Sequence, residues 1–158
     1  MAEDAMAQVT DEQLFWVPSA ESNSIAVIVK HLWGNMLSRW TNFLTTDGEK
    51  DSRNRDDEFI ATDITTRAQL MKKWNEGWKC FIDCLNSLKP EDLQKIVKIR
   101  AEDHTVIDAL IRQTAHYSSH IGQIVYLAKA QKNGGWKSLS IPRGQSKQFN
   151  AKMMGDKK

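Results

Sequence analysis

The sequence predicts an all-α protein, most simply an antiparallel helical bundle. Two observations carry that expectation. Three long segments repeat apolar residues at steps of three and four, between recognisable helix start and stop signals. No alternating apolar and polar stretch longer than "KIVKIR" (95–100) offers a strand.

Taken in chain order, "AEDAMAQ" and "TDEQLFW" (10–16) read as short helical pieces, the second opened by a Thr10/Gln13 capping box. The first long helix covers about 23–44 and stops at "TTDG", where Gly48 provides a turn. In "NSIAVIVKHLWGNMLSRW" nearly the whole circumference is apolar, as in a helix buried between others. A charged connection of mixed sign, "DGEKDSRNRDDEF" (47–59), follows it. The next helix opens at "TRAQ" with a Thr66/Gln69 box. It carries Leu70, Trp74, Trp78, Phe81, Leu85 and Leu88 on one stripe, and Pro90 ends it. The last long helix begins at "TVID", with Thr105 and Asp108 in a similar relation, and runs to "NGG" (133–135). Residues 136–158 read as an irregular tail containing Gly, Pro and Ser.

A chain of 158 residues fits a single domain, 1–158, that buries roughly 70% of its unfolded surface and holds a core without staples. Hydrophobic content of 41% and charged content of 27% are ordinary for a soluble globular protein and argue against disorder. The apolar stretches are short and interrupted, and no secretory signal is visible, so the expected location is cytoplasmic, with no membrane partner. The tail carries Lys137, Arg143, Lys147, Lys152, Lys157 and Lys158 against Asp156. That leaves the body with a net charge of −3 out of the total of +2, which argues against a nucleic-acid partner. Cys80 and Cys84 lie one helical turn apart. Their Cβ atoms stand farther apart than a disulfide prefers, and Cys84 reads as a small buried hydrophobe.

The chemistry points to the histidines. His116 and His120, in "AHYSSHIGQIV", sit four apart and about 40° apart around one helix, so their side chains can converge. Two readings stay open for the pair: polar residues hydrogen-bonded within the bundle, or half of a metal site. The glutamate of a metalloprotease "HExxH" is absent, because Tyr117 stands in its place. His31 is the best third ligand. It is the polar exception on a buried helix, flanked on its face by the small or polar Ser24, Gly34, Asn35 and Ser38, and such a residue needs a partner or a cavity. Three neutral imidazoles leave a divalent ion with an open position, the arrangement that activates bound water or thiol, or polarises a carbonyl. Asn35, Gln113 and Gln123 are placed to orient the ring nitrogens. His104 precedes the last helix and reads as a surface or capping residue, and the acid run Asp56, Asp57, Glu58 reads as solvated. Ser118 and Ser119 point to other faces of their helix, which leaves a serine nucleophile without geometry.

The block "NSIAVIVKHLWGNMLSRW…DGEKDSRNRDDEF", with "RQTAHYSSHIGQIVYLAK" and "WKSLSIPRG" downstream, resembles the DinB/YfiT-like superfamily over about residues 10–150. The resemblance rests on a histidine in the second helix and H-x-x-x-H-x-x-Q in the fourth. It implies a four-helix bundle in which His31, His116 and His120 bind a divalent metal, nickel or zinc, and it implies no DNA binding. Imidazole by itself suits zinc, nickel, copper and iron alike. The activity it suggests is that of a metal-dependent thiol S-transferase, in which the metal activates a low-molecular-weight thiol toward a small-molecule substrate. The alternatives are a metal-dependent hydrolase and a non-catalytic metal- or ligand-binding stress protein. Only nine residues precede "TDEQLFW" where such families carry a longer first helix. Either that helix is short or the start is truncated. Both would expose apolar surface and favour a homodimer.

Overall fold

Four hydroxyl side chains set where the helices begin. In a computed structural model describing residues 1–155, Thr10, Ser24, Thr66 and Thr105 have extended backbones, and each side-chain oxygen accepts the amide three residues on. Gln13 and Gln69 close full capping boxes back onto Thr10 and Thr66. The chain is mostly helical: α1 (Ala2–Met6), α2 (Asp11–Phe15), α3 (Ile25–Trp40), α4 (Arg67–Ser87), α5 (Val106–Lys132) and α6 (Ser146–Met154), with strands β1 (Ile96–Ile99) and β2 (Glu102–Thr105). No helix among the described residues is long and apolar enough to cross a membrane.

α3 is the central element and is buried almost all round, as its apolar circumference required. It ends at Trp40 and not near residue 44. Thr41 is extended and Asn42 turns left-handed at φ 51°, which breaks the hydrogen-bond ladder before Gly48 is reached. α3 and α4 run parallel, which corrects the expectation of antiparallel neighbours. Lys73 lies over the Trp33 ring at 3.7 Å, Gly77 packs on Met36, and Phe81 meets Trp40 at 4.9 Å. The physical cause is the long connection 41–66, which carries the chain back to the other end of α3 before α4 starts. α5 runs antiparallel to α3, pairing Asn35 with Gln113 and His31 with His116 and His120. α1 and α2 are five residues each and lie against α5, with Gln13 and Gln131 exchanging hydrogen bonds.

The expectation of an all-α chain fails at one hairpin. β1 and β2 pair antiparallel, with Val97 opposite His104, and Val97 and Ile99 enter the core. Their two-residue turn is Arg100–Ala101, both left-handed at φ 54° and 64°. That conformation normally selects Asn-Gly, so the turn is hard to see in sequence. Asp47 compensates the strain by accepting the amides of Arg100 and Ala101 at 2.8 and 2.7 Å, while Gly48 N–H donates to the Lys98 carbonyl at 2.8 Å. The 136–158 tail is also not wholly irregular. α6 forms from Lys, Gln, Ala and Met with no buried residue, so helix propensity makes it, not packing. Asp156, Lys157 and Lys158 lie outside the described residues.

Trp40 donates its indole N–H to Tyr117 at 2.6 Å inside the core, among Phe43, Phe81 and Trp78. Replacing Tyr117 by Phe strands that donor. Urea unfolding of Tyr117→Phe should show a loss of about 1–3 kcal/mol, the cost of a buried unpaired polar group.

Candidate metal centre

α3 carries His31 and α5 carries His116 and His120, and the antiparallel packing of the two helices brings the three rings to one point. Nε2 of His116 is 3.2 Å from Nε2 of His31 and 3.2 Å from Nε2 of His120. One ring nitrogen from each histidine lies within 4.8 Å of the others. Imidazoles about 2.1 Å from a common cation stand roughly 3.0 Å apart at right angles and roughly 3.4 Å apart at tetrahedral angles. The 3.2 Å spacings of His116 fall between these values, and the three histidines form a group that could hold a metal ion.

The far ring nitrogens are each tied to a partner. His31 Nδ1–H donates to Glu58 Oε2 at 2.8 Å, and His120 Nδ1–H donates to Gln123 Oε1 at 2.8 Å. Both bonds leave a bare lone pair on Nε2 facing the common point. His116 Nδ1 meets the Gln113 side-chain amide at 3.3 Å, and that amide also bonds Asn35. Turning both amides over keeps the Asn35–Gln113 bond and lets Gln113 accept from His116 Nδ1–H, which frees the third Nε2. Asn35, Gln113 and Gln123 therefore sit where wheel geometry placed them. Burial, together with the neighbouring His120 and His31, lowers the pKa of His116 to about 4, and burial lowers that of His120. Both rings are neutral at neutral pH, the form in which imidazole binds a metal.

Glu58 is the residue the sequence misplaced. Within the acid run, Asp56 and Asp57 are exposed, but Glu58 is only 4% exposed at the end of a short 3₁₀ turn, Asp56–Phe59. Burial alone would raise its pKa. Hydrogen bonds from His31 and Arg53 outweigh that and hold it below the usual carboxylate range. Arg53 grips it with two nitrogens, at 2.7 and 2.8 Å. The available sequence signal was Gly34, one turn beyond His31. A Cβ there would run into the Glu58 carboxylate, so the bare backbone makes room for it. Phe59 stacks on the outer face of the His31 ring at 5.1 Å.

The profile described as "Protein of unknown function (DUF1572)" matches residues 1–145, a span containing every residue of this site. The chain belongs to the DUF1572 family. No curated protein and no solved structure matches it. Among the described residues, α6 is the one helix of this DUF1572 protein that lies beyond the matched span.

The remaining candidates stay apart from the centre. His104 sits on β2 opposite Val97, 3.9 Å from Glu102, and does not join the cluster. Cys80 and Cys84 are free thiols on α4, and burial pushes Cys84 up to about 11, so it stays protonated and inert at neutral pH. Ser118 and Ser119 are exposed.

Glu58→Gln keeps the size of the side chain but removes the charge that orients His31. Competition against a chromophoric chelator should show its zinc affinity lowered 10- to 100-fold, the usual effect of losing such a partner. Gly34→Ala should act in the same direction by displacing Glu58, and Asp56→Asn should leave affinity unchanged.

Proposed function

We propose that this protein is a divalent-metal protein of DinB-like type, with His31, His116 and His120 as ligands for nickel or zinc, and that it works as a metal-dependent thiol S-transferase. The observation that carries the reading is the convergence of three imidazoles, each with its second nitrogen beside a hydrogen-bonding partner. Structural zinc sites close with four protein ligands. Here three imidazoles converge, and the polar space beside His31 and His116 gives a substrate access. A bound ion in such a site supplies Lewis acidity and lowers the pKa of a coordinated thiol or water. Glu58 fixes the tautomer of His31, Gln123 that of His120, and the Asn35–Gln113 pair adjusts to His116. Three neutral donors leave the ion's charge undiminished, which favours an anionic thiolate as the next ligand.

The DinB-like relationship belongs to the same proposal. Its support is the arrangement of α3, α4 and α5, with α1 and α2 along α5 in place of a fourth long helix, and the histidine on α3 facing H-x-x-x-H-x-x-Q on α5.

Untagged wild-type protein should carry about one equivalent of nickel or zinc per chain by elemental analysis, and His116→Ala should carry less than about a tenth of that. In cobalt-substituted protein, a low-molecular-weight thiol should shift the visible bands and add a sulfur-to-metal charge-transfer band. If thiols leave the spectrum unchanged while the metal still binds, the transferase reading is wrong and the metal reading stands.

A further inference from the structure

Beside the histidines lies a cavity of about 180 Å³ whose lining includes His31, His116 and five arginines, Arg39, Arg53, Arg55, Arg100 and Arg112. Glu49 is the carboxylate among its lining residues, and it is already committed, 3.1 Å from Arg53 and 3.4 Å from Arg100. Arg53 is further saturated by Glu58. Arg39 and Arg112 have no carboxylate partner among the described residues.

Arg39 is the anomaly. It lies on α3 one turn beyond Asn35, is 4% exposed, and its Nε and Nη1 are buried with no hydrogen-bond partner among the described residues. The other buried polar side chains of α3 are satisfied: Lys30 by Asp63 and the Ile60 carbonyl, His31 by Glu58, Asn35 by Gln113, and Ser38 by the Gly48 carbonyl. Burial, with Arg112 nearby, lowers the pKa of the Arg39 guanidinium. A buried, unpaired cation is costly, and a fold retains one where something pairs with it in use. Arg100, in the hairpin turn whose amides Asp47 accepts, adds a further cation to the lining.

The guanidinium fork matches the two oxygens of a carboxylate or a phosphate. A small cavity lined by cations also concentrates field on whatever anion enters it. We propose that this cavity binds the oxyanion group, carboxylate or phosphate, of a small-molecule ligand, with Arg39 and Arg112 as its donors and Arg100 at the rim, so that the rest of the ligand faces His31 and His116. The inference deepens the proposed function by naming the substrate class, and it rests on the metal reading only for what the ligand's other end meets.

Inorganic phosphate and malonate, titrated calorimetrically at low ionic strength into chelator-treated and zinc-loaded full-length protein, test it. Wild-type protein should bind at least one of the two saturably even after chelator treatment. Arg112→Gln, at an exposed position that folding tolerates, should weaken binding tenfold or more, and Arg39→Lys should weaken it by losing the fork. Lys79→Gln, on the outer face of α4, should change nothing. Preference for phosphate or for malonate assigns the oxyanion, and either supports the inference. Absence of saturable binding overturns it. So does equal weakening by Arg112→Gln and Lys79→Gln, or binding that requires zinc and ignores Arg112→Gln. If wild-type protein takes up no zinc yet still binds phosphate or malonate, the metal reading falls and the oxyanion site stands.

Discussion

The carboxylate of Glu58 ties the site to the fold. It is buried between the imidazole of His31 on α3 and the guanidinium of Arg53 in the connection that follows, 2.8 Å from one and 2.7 Å from the other. A lone carboxylate in that position would be expelled or protonated, and burial does push it that way. The two donors reverse the balance. In return, the carboxylate gives His31 a fixed tautomer and orientation, and joins residues 53–58 to the side of α3 across the gap that Gly34 leaves. Remove the charge and three features loosen together: the aim of His31, the position of Arg53, and the docking of the connection.

That connection does more than return the chain. A helix pair in parallel needs a long crossover, and 41–66 supplies it while folding against both neighbours. Ser38 accepts the Lys50 amide and donates to the Gly48 carbonyl, and Asp47 clamps the hairpin turn. Gly48 is required for close approach: its bare backbone lies against the Arg39 guanidinium, where a Cβ would collide. The crossover supplies Glu58, Arg53 and Glu49, a chain of paired charges in which Glu49 also reaches Arg100. Arg53 and Glu49 line the same cavity as Arg39, Arg100 and Arg112, so the paired charges and the excess of positive charge meet in one place.

Local signals were read well, because their causes lie within a few residues. Thr10, Thr66 and Thr105 each satisfy amides three residues away, so their helices begin where a hydroxyl stands before an apolar stripe, while Ser24, the cap of α3, is a finding of the structure. The spacing of His116 and His120 places both rings on one stripe of any helix, and the polar exception on an apolar helix singles out His31. Asn35, Gln113 and Gln123 follow from the same wheel. The hairpin escaped for an equally local reason. Arg100–Ala101 carries none of the residues that favour a left-handed turn, and β2 is polar, so neither strand nor turn announces itself.

The sequence by itself determined the helical periodicity, the capping sites and the three imidazoles. It did so because each depends on neighbours within about one turn of helix. Only the tertiary structure decided that Glu58, 27 positions from His31, is the buried partner of that ring while Asp56 and Asp57 face water. The same holds for the meeting of His31 with His116 across 85 positions, the parallel course of α3 and α4, and the unpaired state of Arg39. A charged residue in a loop carries no mark of whether it will be solvated or enclosed. That depends on which surfaces the chain folds against it, and such contacts leave no periodic trace in the residues that make them.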